Sequence, residues 1–342
     1  MIKQRKFGKI SNQHDVHAFD LTSSTGLSAT VLNYGAIIQS LRLPSGRDIV
    51  LGFDELEGYL GPHPNLGTII GRVANRIENA AFSIDGKTYR LPANEGAHNL
   101  HSGPDGFDRV LWDAKIDQNG IAQNGNNQDR LILTHSSPAG HQGFPGQLDV
   151  QIIFQTLGNT LRLDMSAHCD KACPVNLTHH SYFNLTDAGR SKISDHDLTV
   201  LCQEYLDMQA DQIPSGRILP VSGTPYDFQT PKAAPPDLDD CFVKHHNAHG
   251  GAMQPLVRLR SKTTGTELIV SSTQPSVQIY SGAHIEPMIG KTDISYGPNH
   301  GIAIEPQNFP NAVNEDGFPC PILRAGETYH HRIDYTLNDA RS

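Results

Sequence analysis

The sequence predicts an all-β fold of the sandwich or barrel class. Short apolar or alternating runs recur along most of its 342 residues, separated by Gly, Pro, Asn and Asp, the spacing of strands joined by turns. Runs with the 3.6-residue period of an amphipathic helix are nearly absent. Glycine (31) and proline (22) are plentiful yet scattered, so they punctuate a folded chain rather than define a disordered tract.

Taken in order, residues 28–43 alternate and end in Pro44-Ser45-Gly46, which predicts strand, bend, strand and turn. Residues 49–53 form a short apolar run expected as another strand, and a looser Gly- and Pro-rich segment follows. Residues 82–91 carry Asp85-Gly86 between alternating runs, a strong hairpin signal. The stretch around Asn99-Leu100-His101-Ser102-Gly103 has the polar, Gly-containing composition of a binding loop. Residues 118–130 form a polar surface loop. Further strands are expected at 131–134, 148–155, 160–167, 198–201, 256–260, 268–271, 277–280, 301–305 and 329–335. With no internal repeat, low-complexity tract or convincing linker, residues 1–342 are expected to form one domain.

A net charge of −9 argues against a general nucleic-acid binder, which needs a basic face. The five cysteines, Cys169, Cys173, Cys202, Cys241 and Cys320, are odd in number and unlike a disulfide framework. Cys169 and Cys173 have no second pair of matching spacing, so no zinc site is expected. No secretory leader and no apolar run long enough to span a membrane is evident. The expected setting is reducing and cytoplasmic. His245-His246-Asn247-Ala248-His249 reads as a solvated loop rather than a metal site, lacking a carboxylate or cysteine at ligand spacing.

Several strand-like segments carry polar residues that an apolar core would not want: Arg72, His101, His180, Gln278 and Glu305. Arg72 and Arg76, four apart in an apolar stretch, read either as two structural ion pairs or as guanidinium groups offered to an oxyanion or to hydroxyls. His179 and His180 are adjacent in an extended segment, so they point to opposite faces and one of them can address a pocket. Glu305 closes an apolar run just before Pro306. It reads either as half of an ion pair or as a desolvated carboxylate in a cleft, its pKa raised toward that of a useful base.

The sequence resembles the aldose 1-epimerase (galactose mutarotase) family. The resemblance is carried by Asn33-Tyr34-Gly35-Ala36, Gly71-Arg72-Val73-Ala74-Asn75-Arg76-Ile77, Asn99-Leu100-His101-Ser102-Gly103, and Asn176-Leu177-Thr178-His179-His180-Ser181-Tyr182-Phe183-Asn184-Leu185. It continues in Ile213-Pro214-Ser215-Gly216, Gly223-Thr224-Pro225-Tyr226-Asp227-Phe228, Val277-Gln278-Ile279-Tyr280-Ser281-Gly282 and the run from Glu305-Pro306-Gln307-Asn308 to Asn314. These motifs run in the family's order across nearly the whole chain. The resemblance implies a large antiparallel β-sandwich with an open sugar-binding cleft, interconversion of the α and β anomers of galactose and glucose, and no cofactor or metal. By motif position Glu305 resembles the general base and His180 the general acid, with His101 sharing the acid role. Arg72, Asn75 and Gln278 resemble sugar-hydroxyl ligands, as does Asp239, with Asp240 the competing assignment. His179 stands where the family commonly has Asn and is expected to be structural. Ser102 and Cys241 replace a usual glycine and a usual asparagine. The expected partner is a small aldohexose, with neither nucleic acid nor membrane, bound by a monomer or homodimer. The alternatives are a sugar-binding module without turnover and an epimerase of a phosphorylated hexose, which would want an additional basic cluster.

Overall fold

The computed structural model describes residues 1–11, 14–121, 127–246 and 251–339. It is built almost wholly from antiparallel strands, with one short α-helix, Leu56–Leu60, among the described residues. Two large sheets face each other. The first has nine strands, in the spatial order Asp113–Ile121, Asn127–Ser137, Leu148–Leu157, Thr160–Cys169, Tyr329–Asn338, Glu267–Ser272, Gln254–Ser261, His196–Val200 and Lys232–Ala233. The second has six, in the order Tyr182–Phe183, Ile302–Gln307, Ser276–Tyr280, Asp239–Val243, Glu204–Met208 and Pro214–Pro220.

The alternation within the strands explains the pairing. In Thr160–Cys169 every second residue is buried, so one face of the nine-stranded sheet enters the core. Leu133, Ile152, Leu163, Val270, Ile333 and Tyr335 from that sheet meet Phe183, Phe242, Val277, Ile279, Ile302 and Ile304 from the other in one apolar cluster. Burying each such side chain contributes roughly 1.5–3 kcal/mol, and this shared core fixes the sheets against each other. The opposite face of the six-stranded sheet is covered too: all six residues of Ile302–Gln307 are buried.

A four-stranded sheet (Ile2–Ile10, His14–Thr22, Ser28–Leu32, Ile38–Arg42) packs alongside. Its edge strand Ile2–Ile10 carries Lys3, Arg5, Lys6 and Lys9, charges that discourage pairing with another chain. That hairpin is absent from the sequence expectations because its alternation is broken by those charges. Asp85 and Gly86 both adopt positive φ (50° and 77°) between Ala81–Ile84 and Lys87–Arg90, as the expected two-residue hairpin requires. Residues 49–53 differ from expectation. They form isolated bridges rather than a strand, since Ile49, Leu51 and Phe53 donate to three different partners: Leu41 O, Tyr182 O and Tyr59 Oη. Of the histidine patch, His246 Nε2 lies 3.0 Å from Glu204 Oε2, and residues 247–250 lie outside the described residues. The polar loop expected at 118–130 is shorter: 118–121 and 127–130 belong to the strands Asp113–Ile121 and Asn127–Ser137, and 122–126 lie outside the described residues. Among the described residues no helix is long and apolar enough to cross a membrane.

Candidate active site

The register of the six-stranded sheet builds the floor of a cleft. Glu305 lies opposite Gln278, and Gln278 lies opposite Cys241. Residues two apart on a strand share a face, so Glu305, Gln278, Tyr280, Asp239 and Tyr182 all project away from the core, while Ile304, Ile279 and Phe242 project into it. Three adjacent strands thus deliver a carboxylate, an amide and a second carboxylate side by side. Gln278 Nε2–H donates to Asp239 Oδ1 at 2.7 Å. Glu305 Oε2 and Gln278 Oε1 are buried without a protein partner among the described residues, and a buried polar group left unmet is costly. Both can accept hydrogen bonds from O–H or N–H groups of a ligand.

The wall comes from three loops. Thr178–His179 pairs with Ile69–Ile70, and the chain then turns His180 over the floor, with His180 N–H donating to Thr68 O. Alternation sends His179 the opposite way, fully buried between the rings of Phe154 and Tyr335. His180 Nε2 sits 3.4 Å from Glu305 Oε1, and the two side chains are 7% and 3% exposed. Arg76–Ile77 pairs with Asn99–Leu100 and places His101, in the left-handed region (φ 52°), edge-on to the His180 ring with centroids 5.5 Å apart. Ser102 follows at φ 71°, a conformation glycine adopts more readily; its buried Oγ ties the turn by accepting from Val73 N–H and donating to Val73 O. The resulting cavity, about 230 Å³, is lined by Asn75, Arg76, Glu95, His101, His180, Tyr182, Asp239, Gln278, Tyr280, His284 and Glu305 among others.

Burial sets the protonation of the central pair. It pushes the Glu305 carboxyl well above its ordinary value, with Asp239 adding to the rise and Arg76 opposing it. It pulls His180 down to about 4 and His101 well below its ordinary value, the latter helped by the neighbouring His180 and Arg76 charges. Burial thus works against the charged form of both members of the pair. His101 Nδ1 accepts the Asn75 N–H at 3.1 Å, so its neutral ring carries hydrogen on Nε2 and is a donor toward the cleft. That tautomer also bears on metal binding. His101, His180 and Glu305 form the one cluster of three metal-ligand types among the described residues. A ligating imidazole, however, presents its bare nitrogen to the metal and donates from the other, and the bare Nδ1 of His101 is already taken by the Asn75 N–H. The donor set does not fit a metal.

The chain matches the family described as "Aldose 1-epimerase" over residues 17–336. It belongs to that family. It is 37% identical over 337 residues to the galactose mutarotase of Mus musculus, covering 95% of each chain, and 33% identical over 333 residues to the aldose 1-epimerase of Escherichia coli K12, covering 92% of this chain and 93% of that one. The solved structure of an aldose epimerase homologue from C. elegans superposes with a TM-score of 0.84 at 28% identity, over 94% of this chain and 98% of that chain.

Of the residues singled out in the sequence, Glu305, His180, His101, Asn75, Asp239 and Gln278 meet around this one cleft. Arg72 does not, and its expected role as a sugar ligand is corrected. Its side chain is 1% exposed. Nε–H donates to Ser137 Oγ, Nη1 to Pro145 O and Gly146 O, and Nη2 to Ser137 O and Pro138 O. A guanidinium has five N–H groups, all committed here, so none remains for a substrate. Arg76 lines the cleft in its place, held by Glu95 at 2.6 and 2.8 Å. Asp239 faces the cleft, whereas Asp240, one residue on, projects to the other side. Glu95, Tyr182, Tyr280 and His284 also line the cleft. No local pattern flagged them, because each arrives through loop placement or through a register visible only once the strands are paired.

Proposed function

We propose that this chain interconverts the α and β anomers of aldohexoses, with galactose and glucose as substrates, through acid/base opening and reclosure of the pyranose ring. The observation that carries the reading is the buried Glu305–His180 pair, 3.4 Å apart beneath a cleft whose floor offers unmet hydrogen-bonding atoms. Glu305 takes the proton of the C1 hydroxyl while His180 protonates the ring oxygen, and the C1–O5 bond breaks. Rotation about C1–C2 presents the other face of the aldehyde. Reclosure returns the Glu305 proton to O1 as His180 removes the one on O5. One proton passes through the pair in each half-cycle, so the site is restored without an external acid or base. Each such transfer typically contributes ~10²–10⁴-fold. His101 Nε2–H points where it can steady the oxygen that gains charge. Asp239, Gln278, Asn75 and Arg76 orient the hydroxyls. Asn75 Oδ1 already accepts the Arg76 N–H, so its amide NH₂ is the group it offers.

The charge balance of the cleft disfavours a phosphorylated sugar, since Arg76 faces Glu95, Asp239 and Glu305. All five cysteines are free, which suits the reducing cytoplasmic setting we assign it. The test is polarimetry on freshly dissolved α-D-galactose and α-D-glucose. Wild-type protein should hasten the decay to an unchanged final rotation, and Glu305→Gln should lose that effect by about 10³-fold or more while remaining folded, as removal of an essential proton acceptor does. A Glu305→Gln variant of near-wild-type rate refutes the base assignment, and an inert wild type refutes the function.

A further inference from the structure

We infer that Glu95 is a positioning residue for the sugar site, acting by fixing which edge of the Arg76 guanidinium the substrate meets. The inference rests on the proposed sugar cleft and deepens it. Arg76 Nε–H and one Nη2–H go to the two oxygens of Glu95, a forked pair that locks a planar guanidinium in position and in plane. This occupies the Nε/Nη2 edge and leaves the Nη1 edge for the cleft. The Arg76 side chain is 12% exposed and the Glu95 side chain 39%, so the pair straddles the rim with the guanidinium inside.

The turn that carries Glu95 is itself tied down. It exchanges backbone hydrogen bonds with His98 (3.2 and 2.9 Å) across a tight turn. Asn94 closes the next step by bonding both the N–H and the O of Leu100. His98 Nδ1 accepts the Asn79 N–H, and His98 Nε2 lies 3.3 Å from Asp211 Oδ2. A surface ion pair with this much support on one partner does more than fill space, because a binding group is useful only as far as its supporting shell fixes it. Without Glu95 the Arg76 side chain regains its rotamers and must be reordered each time a sugar binds, a cost that appears in binding rather than in proton transfer.

The experiment is a mutant cycle on α-D-galactose mutarotation with wild type, Glu95→Ala, Glu95→Gln, Arg76→Lys and Glu95→Ala/Arg76→Lys. Glu95→Ala should raise KM about tenfold with kcat within about threefold and a melting temperature close to wild type. Glu95→Gln keeps one acceptor for the fork and should recover part of the loss. Lysine cannot make the fork, so adding Glu95→Ala to Arg76→Lys should change KM by less than about twofold, the non-additivity of residues acting as a unit. An unchanged KM in Glu95→Ala, or a full tenfold effect persisting in the Arg76→Lys background, overturns the inference. A wild type that hastens no mutarotation overturns the proposed function first, and the inference with it, which distinguishes the two failures.

Discussion

Arg72→Lys separates a clamp from a ligand at a position where the motif alone suggests a ligand. The guanidinium is 1% exposed and is not paired with a carboxylate; its charge is met by four backbone carbonyls and the Ser137 hydroxyl. Lysine brings three N–H donors in place of five, so at least two acceptors lose their partner. A buried acceptor left unmet costs about 1–3 kcal/mol, which gives a loss of about 2–6 kcal/mol. Unfolding entropy near 2.1 cal/mol/K per residue over 342 residues makes each kcal/mol worth about 1.4 °C. The melting temperature should therefore fall by about 3–8 °C, and Arg72→Met, which strands every acceptor, should fall further. The galactose KM of the protein that remains folded should stay within about twofold of wild type, because the side chain does not reach the cleft. Thermal denaturation followed by circular dichroism, paired with polarimetric KM values below the transition, gives both numbers. A tenfold rise in KM at an unchanged melting temperature refutes the clamp and restores Arg72 as a sugar ligand.

The adjacent histidines should divide cleanly. His180→Asn should lower kcat by about 10²-fold or more, whereas His179→Asn should leave kcat within a few-fold and cost about 1–3 kcal/mol of stability through the space it opens between Phe154 and Tyr335; the opposite pattern in turnover would reverse the assignment of the acid. His179 is pulled down to about 3 by burial. Its folded pKa lies below its unfolded value near 6.5, so the unfolded chain binds the proton first as pH falls, and stability is lost from about pH 6.5 downward. Between pH 7 and 5 wild type should lose about 2 kcal/mol more than His179→Asn, measured by urea denaturation at the two pH values; parallel losses would show that the ring takes up its proton in the native state. The pH profile of kcat/KM should be bell-shaped, since activity needs one proton on the pair. It should fall in acid as the pair gains a second proton, with the midpoint near the depressed His180 value of about 4, and fall in base as Glu305 loses its proton well above the ordinary carboxylate range. An acid limb near pH 6.5 would show that burial does not depress His180.

The fold was legible where local patterns and tertiary demands agree. Alternating runs such as residues 160–167 and the Asp85-Gly86 turn are decided by side-chain parity and by positive φ, both properties of a few neighbouring residues. The run 49–53 departs from a simple strand because apolar extended sequence does not say whether one neighbour or three will accept its N–H groups. In the site, parity predicted that His179 and His180 would part company, and the same rule separates Asp239 from Asp240 once the strand is in register. Arg72 and Arg76 defeated it. Four residues apart in one motif, they look alike in sequence. Only the carbonyls of residues 137–138 and 145–146, far along the chain, decide which of them is consumed as structure. Glu95 is invisible for the same reason, being defined by a partner across a turn.

Glu305, Gln278 and Asp239 stand on neighbouring strands whose separation is the sheet's own repeat of about 4.8 Å. That floor behaves like a ruled grid. Its spacing cannot be adjusted for one sugar or another, and a one-residue slip in any strand would turn that strand's functional side chain into the core. Drift in substrate preference is thereby left to the rim, where the loops bearing Glu95 and His284 can lengthen, shorten or change residue without moving the grid. Related chains of this architecture should therefore differ in which hydroxyl they favour through their loops, while the strands of the floor stay in register.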